Sequence, residues 1–413
     1  MSGGRKGQSL REFAWVWVWL TLVVSVAAGI TITVLLWGDT PTSHRDAFDV
    51  GWKSSAAVLA ILAAFVTVER LRLSQREHHR QLDNDEATQF NTLSSQASEQ
   101  LGSEKDAVRI GGLTDLERLA EQYPNLRQTV VDRICAYLRA PYQPPPNVIV
   151  SAVDAKSALT DTSADQAESS TPGPSDDEIA ARRLELDVRR TAQQILHRHL
   201  RTEARSKGSP HAFWEKISID LRDAVLIEID FNDCQFASAD FRNVTVYGDA
   251  GFRNARFQGP VVFEGATFYG AIWFMGTKFD GDTVFNEAKV GGAAVFHNAT
   301  FHGAIWFTRV KFAGAAVFSD ATFKSAALFS LAEFDFAAVF NGVEFGRDAI
   351  FSDVKCNGEV TFDGARVNSS KGRHEWPDGW RLEQSPLDSG KPRRLTRTRN
   401  DSPSERSGDG PKA

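Results

Sequence analysis

Between Phe13 and Trp37 the chain runs for 25 residues without a charged side chain. At 1.5 Å per residue this is roughly 37 Å of helix, enough to cross a bilayer with some tilt. Trp15, Trp17 and Trp19 stand at one end of the run and Trp37 at the other, where interfacial anchors belong. A second apolar run covers 50–68, with Lys53 close enough to its end to reach the interface. Within it Ala56, Ala60 and Ala64 make a small-residue stripe that permits close helix–helix approach. A secretory leader has an apolar core of about 7–15 residues, and a buried soluble helix is also shorter than the first run. The pattern therefore predicts a short N-terminus (1–12) and transmembrane helices at 13–37 and 50–68. Arg5, Lys6 and Arg11 precede the pair and Arg70, Arg72, Arg76 and Arg80 follow it, whereas the connection holds Asp39, Asp46 and Asp49 against Arg45. The positive-inside rule places both termini in the cytoplasm, on a multi-pass protein of the cytoplasmic membrane.

Helical periodicity follows over 82–142. Phe90, Leu93, Ala97 and Leu101 share one stripe, Leu113, Leu116 and Ala120 a second, and Val130, Ile134 and Leu138 a third. Residues 143–177 are rich in Pro, Ser, Ala, Asp and Thr and lack the apolar groups to bury a core, so they read as a flexible linker. A further amphipathic helix, with Leu184, Val188, Ala192, Ile195 and Leu200 on one face, opens the segment 178–215. His197 and His199 lie two apart on this helix and face different directions, which argues against a shared metal ion and reads as a solvated pair.

From Leu221 the spacing changes character. Leu221, Leu226, Phe231, Phe236, Phe241 and Val246 fall at strict intervals of five. The interval then alternates between five and six, through Phe252, Phe257, Phe263, Phe268, Phe274, Phe279, Phe285, Val290, Phe296, Phe301, Phe307, Phe312, Phe318, Phe323, Phe329, Phe334, Phe340, Phe345, Phe351, Cys356, Phe362 and Val367. The residue two earlier is small or β-branched, as at Ala266, Ala299, Ala321 and Ala338. An 11-residue period also suits a right-handed coiled coil. A five-residue step turns about 140° on a helix, however, so these rings would not share a stripe. The abundant Gly and β-branched residues oppose helix as well. Four short sides per coil, each turning one large and one small residue inward, satisfy the pattern over 216–367. Large residues then stack at about the 4.8 Å strand spacing. Cys234 and Cys356 occupy inward positions and read as small core residues. Solenoids need closed ends. The segment 178–215, with Phe213 and Trp214, is placed to cover the first coil, and Glu375 to Leu382, with Trp376 and Trp380, the last. Within 368–413 the polar remainder, including Arg393, Arg394, Arg397 and Arg399, reads as a disordered tail.

The units Ile219–Asp220–Leu221–Arg222–Asp223 and Ala239–Asp240–Phe241–Arg242–Asn243 resemble the pentapeptide-repeat family. The alternating stretch from Phe257 to Phe268 resembles its Phe-rich actinobacterial variant, and Gln100 to Ala120 with Arg127 to Tyr142 is similar to the helical segment of membrane-anchored members. The resemblance implies a mainly β fold: a right-handed quadrilateral β-helix preceded by two transmembrane helices and a small helical module. The six-residue steps depart from a strict five, and bulged corners are expected there.

Charge and chemistry narrow the function. The chain has 47 Lys+Arg against 53 Asp+Glu, a net −6, which lacks the electrostatic footprint of a nucleic-acid binder. Three Cys exclude a disulfide-built fold. There is no Walker loop, CxxC, HExxH or GxSxG, and no catalytic, cofactor-binding or metal-ligating set stands out. The leading expectation is a non-enzymatic, membrane-anchored interaction scaffold without cofactors, holding the bilayer through two helices and an unidentified protein on the β-helix, with self-association permitted by the Ala stripe. Some family members mimic DNA and inhibit gyrase. Here Lys216 to Val367 carries 13 basic and 19 acidic residues, and the interspersed lysines break any continuous negative face. An oligomeric channel or transport component is the third reading, with no membrane-embedded acid to support it.

Overall fold

The computed structural model describes residues 88–150, 174–202, 211–368, 372–383 and 392–398, with scattered helical positions between 23 and 75. The chain divides into two units, 1–89 and 90–413. Much of both apolar runs, and most of the expected linker, lies outside the described residues. Among the described residues no helix is long and apolar enough to cross a membrane. The described positions of the first run are helical and mostly exposed, Ile30 and Leu35 among them, while Gly29 is buried and Thr33 half-buried.

Among the described residues four longer helices precede the solenoid, α1 (88–101), α2 (Asp106–Gln122), α3 (Arg127–Arg139) and α4 (Asp176–Leu200), and a single-turn helix, Pro146–Val150, stands where the linker is expected to begin. Pro124 breaks α2 from α3. Ser175 opens α4 with a capping box: its hydroxyl accepts from the Glu178 N–H, and the Glu178 carboxylate accepts from the Ser175 N–H. Leu113, Leu116, Val130, Ile134, Leu138, Val188, Ile195 and Leu200 point into one core that continues into the solenoid.

The solenoid has about seven coils of four short parallel sides. In chain order the first face begins at Ser218–Asp220, the second at Val225–Asp230, and the fourth at Gln235–Phe236. The third runs from Ile229 through Ala250 and Ile272 to Val360. The early coil is 20 residues long, Ser218 pairing with Ser238. Later coils are 22 long, Ala304 standing beside Asp282 and Thr308 beside Asn286. Four steps of five, then two of five and two of six, account for both lengths.

The first extra residue forms an irregular step of the expected kind: Ile227 pairs with Tyr247 but Ile229 with Ala250, so the six-residue step from Val246 to Phe252 carries one residue more than the five-residue step it stacks on. From Phe263 onward six-residue steps stack on six-residue steps, and the register runs without a shift. Two corner types alternate. At the five-residue corners a β-turn closes on the Phe carbonyl, as where Ala299 N–H donates to Phe296 O at 3.0 Å. The third turn residue is left-handed there: Asn298, Asp320 and Gly342 stack in one such column. At the six-residue corners the chain bends openly and coils approach closely. A Cβ on Gly314 would lie 2.3 Å from the Gly292 carbonyl oxygen.

All the large ladder residues from Leu221 to Phe351, and Phe362 after them, are buried. Three Phe columns are continuous. Phe241, Phe263, Phe285, Phe307, Phe329 and Phe351 stack at 4.6–5.0 Å. Phe252, Phe274, Phe296, Phe318, Phe340 and Phe362 stack at 4.7–5.0 Å. These two columns meet edge to face, as Phe296 does with Phe307 at 5.5 Å and 82°. Each central ring thus combines both favoured aromatic geometries. Cys356 departs from the inward expectation. It is exposed, because its sheet ends there among the described residues and no further coil stacks on it.

Phe296→Ala should cost about 3–5 kcal/mol in denaturant unfolding, since it opens a cavity in two ring contacts at once. Leu331 holds a left-handed conformation (φ 59°) with its side chain exposed. Leu331→Asn should therefore gain roughly 1 kcal/mol in the same assay.

Candidate functional site

The two corner types give the four faces different chemistry. Sides that follow a tight turn present polar groups: Thr267, Lys289, Lys311, Glu333 and Lys355 on the second face, and Arg256, Lys278, Thr300, Thr322, Glu344 and Arg366 on the fourth. Sides that follow an open bend present apolar groups. The first face carries Val262, Val284, Trp306, Leu328 and Ile350 in line, and the third carries Trp273, Val295, Val317 and Val339. The apolar faces are opposite one another, and so are the polar ones. Phe336 is exposed at 62% on the corner that leads into the third face, in line with Gly270, Gly292 and Gly314. On the polar faces ion pairs run from coil to coil, Lys355 to Glu333 at 2.6 Å and Arg256 to Asp280 at 2.7 Å. Exposed pairs of this kind contribute little stability.

The open edge of the first coil is closed by the helices. Gln128 on α3 clamps Ser218, accepting from its N–H at 2.9 Å and donating to its carbonyl at 2.8 Å. Arg139 donates to the Asp220 carbonyl at 3.1 Å and pairs with its carboxylate. On the next side Gln193 of α4 donates to Ile227 O at 3.0 Å. On the last, Thr202 N–H donates to Asp233 O at 3.0 Å. Side chains and chain ends thus replace the missing preceding coil, which removes a sheet edge. The cap over the first coil is therefore made by α3 together with α4, rather than by the 178–215 segment alone.

Arg189 ties these helices together. It is buried, with Nε donating to Glu185 at 2.7 Å and Nη1 and Nη2 to Leu138 O and Ala140 O at 2.9 and 2.7 Å. Tyr142 covers its guanidinium at 4.5 Å. Burial pushes the Tyr142 hydroxyl up to about 12, so it stays protonated. Between α4 and the first coil lies a cleft of about 310 Å³ lined by Arg190, Gln193, His197, Glu228 and Asp230 together with Ile227, Ile229 and Phe231.

At the other end, Trp376 stacks on Phe351 at 5.7 Å and Trp380 meets Phe362 at 5.3 Å. Trp380 Nε1–H donates to Val360 O at 3.2 Å. The basic run expected in a disordered tail forms instead a strand, Arg393–Arg397, antiparallel to Trp380–Leu382 and to Arg366–Val367, with Leu395 buried. Residues beyond 398 lie outside the described ones.

The ladder residues from Leu221 to Phe351, with Phe362, form one buried core. Sequence reasoning missed the outward apolar columns, although their signal is present in the alternation of V-V-F and A-T-F units. It also missed the polar clamps, which join residues about 90 positions apart, such as Gln128 and Ser218.

Two outcomes follow. The side-chain hydrogen bond from Arg222 holds the Asp220 carboxyl down at about 2. The stability it confers is fully present above about pH 4 and is lost as pH falls through about 2. Acid unfolding of Asp220→Asn should be correspondingly flatter over that window. Burial pushes the Cys135 thiol up to about 12 and the Cys234 thiol well above its ordinary value. A thiol reagent should label Cys356 alone in the native chain and all three cysteines after denaturation.

Residues 241–289, 285–330 and 318–366 match the family described as pentapeptide repeats (9 copies). No curated protein and no solved structure gives a match. The ladder is thus a run of pentapeptide repeats, folded as a β-solenoid of about seven turns.

Proposed function

We propose that this chain is a membrane-anchored, non-catalytic scaffold that recruits a protein partner through an apolar face of its solenoid. The observation that carries the reading is the column Val262, Val284, Trp306 and Leu328, four consecutive coils of half-buried apolar groups on the outside of a regular rod, with Ile350 covered at its end. A rigid repeat surface of this kind suits extended binding, and a large aromatic at its centre suits an anchor residue. The uncharged 25-residue run from Phe13, its Trp-marked ends and the flanking basic residues support attachment to the cytoplasmic membrane with both termini inside. The DNA-mimic reading has less support, because Arg256, Lys278, Lys289 and Lys311 interrupt the acidic surface on both polar faces. No observation favours a channel.

The full chain should stay with the membrane pellet through an alkaline carbonate wash; release into the supernatant would remove the anchor from the proposal. Full-length protein, a Trp306→Lys/Leu328→Lys variant and a Lys289→Glu/Lys311→Glu variant would be purified from detergent-solubilised native membranes. The expected result is a partner recovered with the first and third proteins and lost with the second. The same proteins recovered with all three would sink the apolar-face reading.

A further inference from the structure

The cap holds a cluster that the solenoid does not use. Glu117 on α2, His199 near the end of α4 and His211 on the approach to the first coil bring their ligand atoms within 4.8 Å of one another. We propose that these three residues bind a divalent transition-metal ion of the zinc class, which joins the helical cap to the solenoid.

The geometry of His199 carries the argument. Its ring is wholly buried and lies flat on Trp214, 3.9 Å away at 9°, so its orientation is fixed. Nδ1 is 2.7 Å from the Ala212 carbonyl oxygen. A carbonyl only accepts, so Nδ1 carries a proton and donates it. In the neutral ring Nε2 is then a bare lone pair, and it points at Glu117 Oε1 2.8 Å away. Two electron-pair donors that face each other at this distance in a buried site need either a proton on Nε2 or a metal ion to join them. An N–H to carbonyl bond on the far nitrogen is also the arrangement that orients histidine toward a metal.

His211 sets its ring edge-on to His199 at 5.7 Å, and it supplies the third donor. Two imidazoles and one carboxylate suit zinc and its neighbours, and they leave a fourth tetrahedral position for water. Arg198 donates to the same Glu117 oxygen at 2.7 Å. The ion therefore takes the other carboxylate oxygen or displaces this bond. The competing occupant is a proton on Nε2, which would make His199 and Glu117 a simple ion pair.

The test uses the full-length chain carrying Cys356→Ser, which removes the exposed thiol as a rival ligand. Metal is stripped with a chelator, and the protein is titrated with zinc chloride by calorimetry and with cobalt chloride by visible absorption. The expected result is saturable binding of one ion per chain, a tetrahedral cobalt spectrum, and a loss of affinity of at least about 10-fold in His211→Ala. His211 is only partly buried, so this variant should keep its fold, checked by circular dichroism. Absence of saturable one-to-one binding would overturn the proposal in favour of the proton. So would unchanged affinity in a folded His211→Ala chain.

Discussion

The structure depends on one coincidence of lengths. Phenyl rings stack comfortably at the same distance that separates hydrogen-bonded strands. A Phe placed at the same point of successive coils therefore satisfies ring packing and backbone pairing together. Phe241 to Phe351 does this five times in succession at 4.6–5.0 Å. Everything else in the solenoid accommodates that match. The residue two before each ring is small or β-branched, as at Ala266 and Ile305, because the coil interior has no room for a second ring. The corners are shaped so that the next ring arrives in line.

Corner geometry in turn decides what the outside looks like. A tight turn leads into a side with a polar outward residue, an open bend into one with an apolar outward residue. Lys289 and Val295 are six positions apart on one coil, yet they belong to surfaces of opposite chemistry. The five–six alternation is thus more than a packing detail, because it sorts the surface into lengthwise stripes.

The coil length, the inward rings and the need for two end caps were legible from spacing alone, because each is a local, repeated constraint. Three features were not. The cap is built from single long-range contacts such as Gln128 to Ser218 and Arg189 to Ala140, and nothing periodic announces them. Cys356 follows the inward rhythm but lacks a covering coil, so its exposure depends on where the stack stops. Arg393–Arg397 reads as a charged tail, and becomes a strand because the last coil offers it an edge. The histidine cluster shows the same limit. Spacing reads His197 and His199 as solvated, yet His199 is buried, because Glu117, 82 residues away, and Trp214 close over its ring.

The 22-residue register of the later coils makes the rod a ruler. One more or one fewer coil would change its length by about 4.8 Å, a single strand spacing. Every stripe would keep its identity, and both end caps would still meet the sides they are built for. Reach and recognition are therefore separable quantities in this architecture. Duplication of a single coil could tune how far a bound partner stands from the cap without altering the surface that holds it.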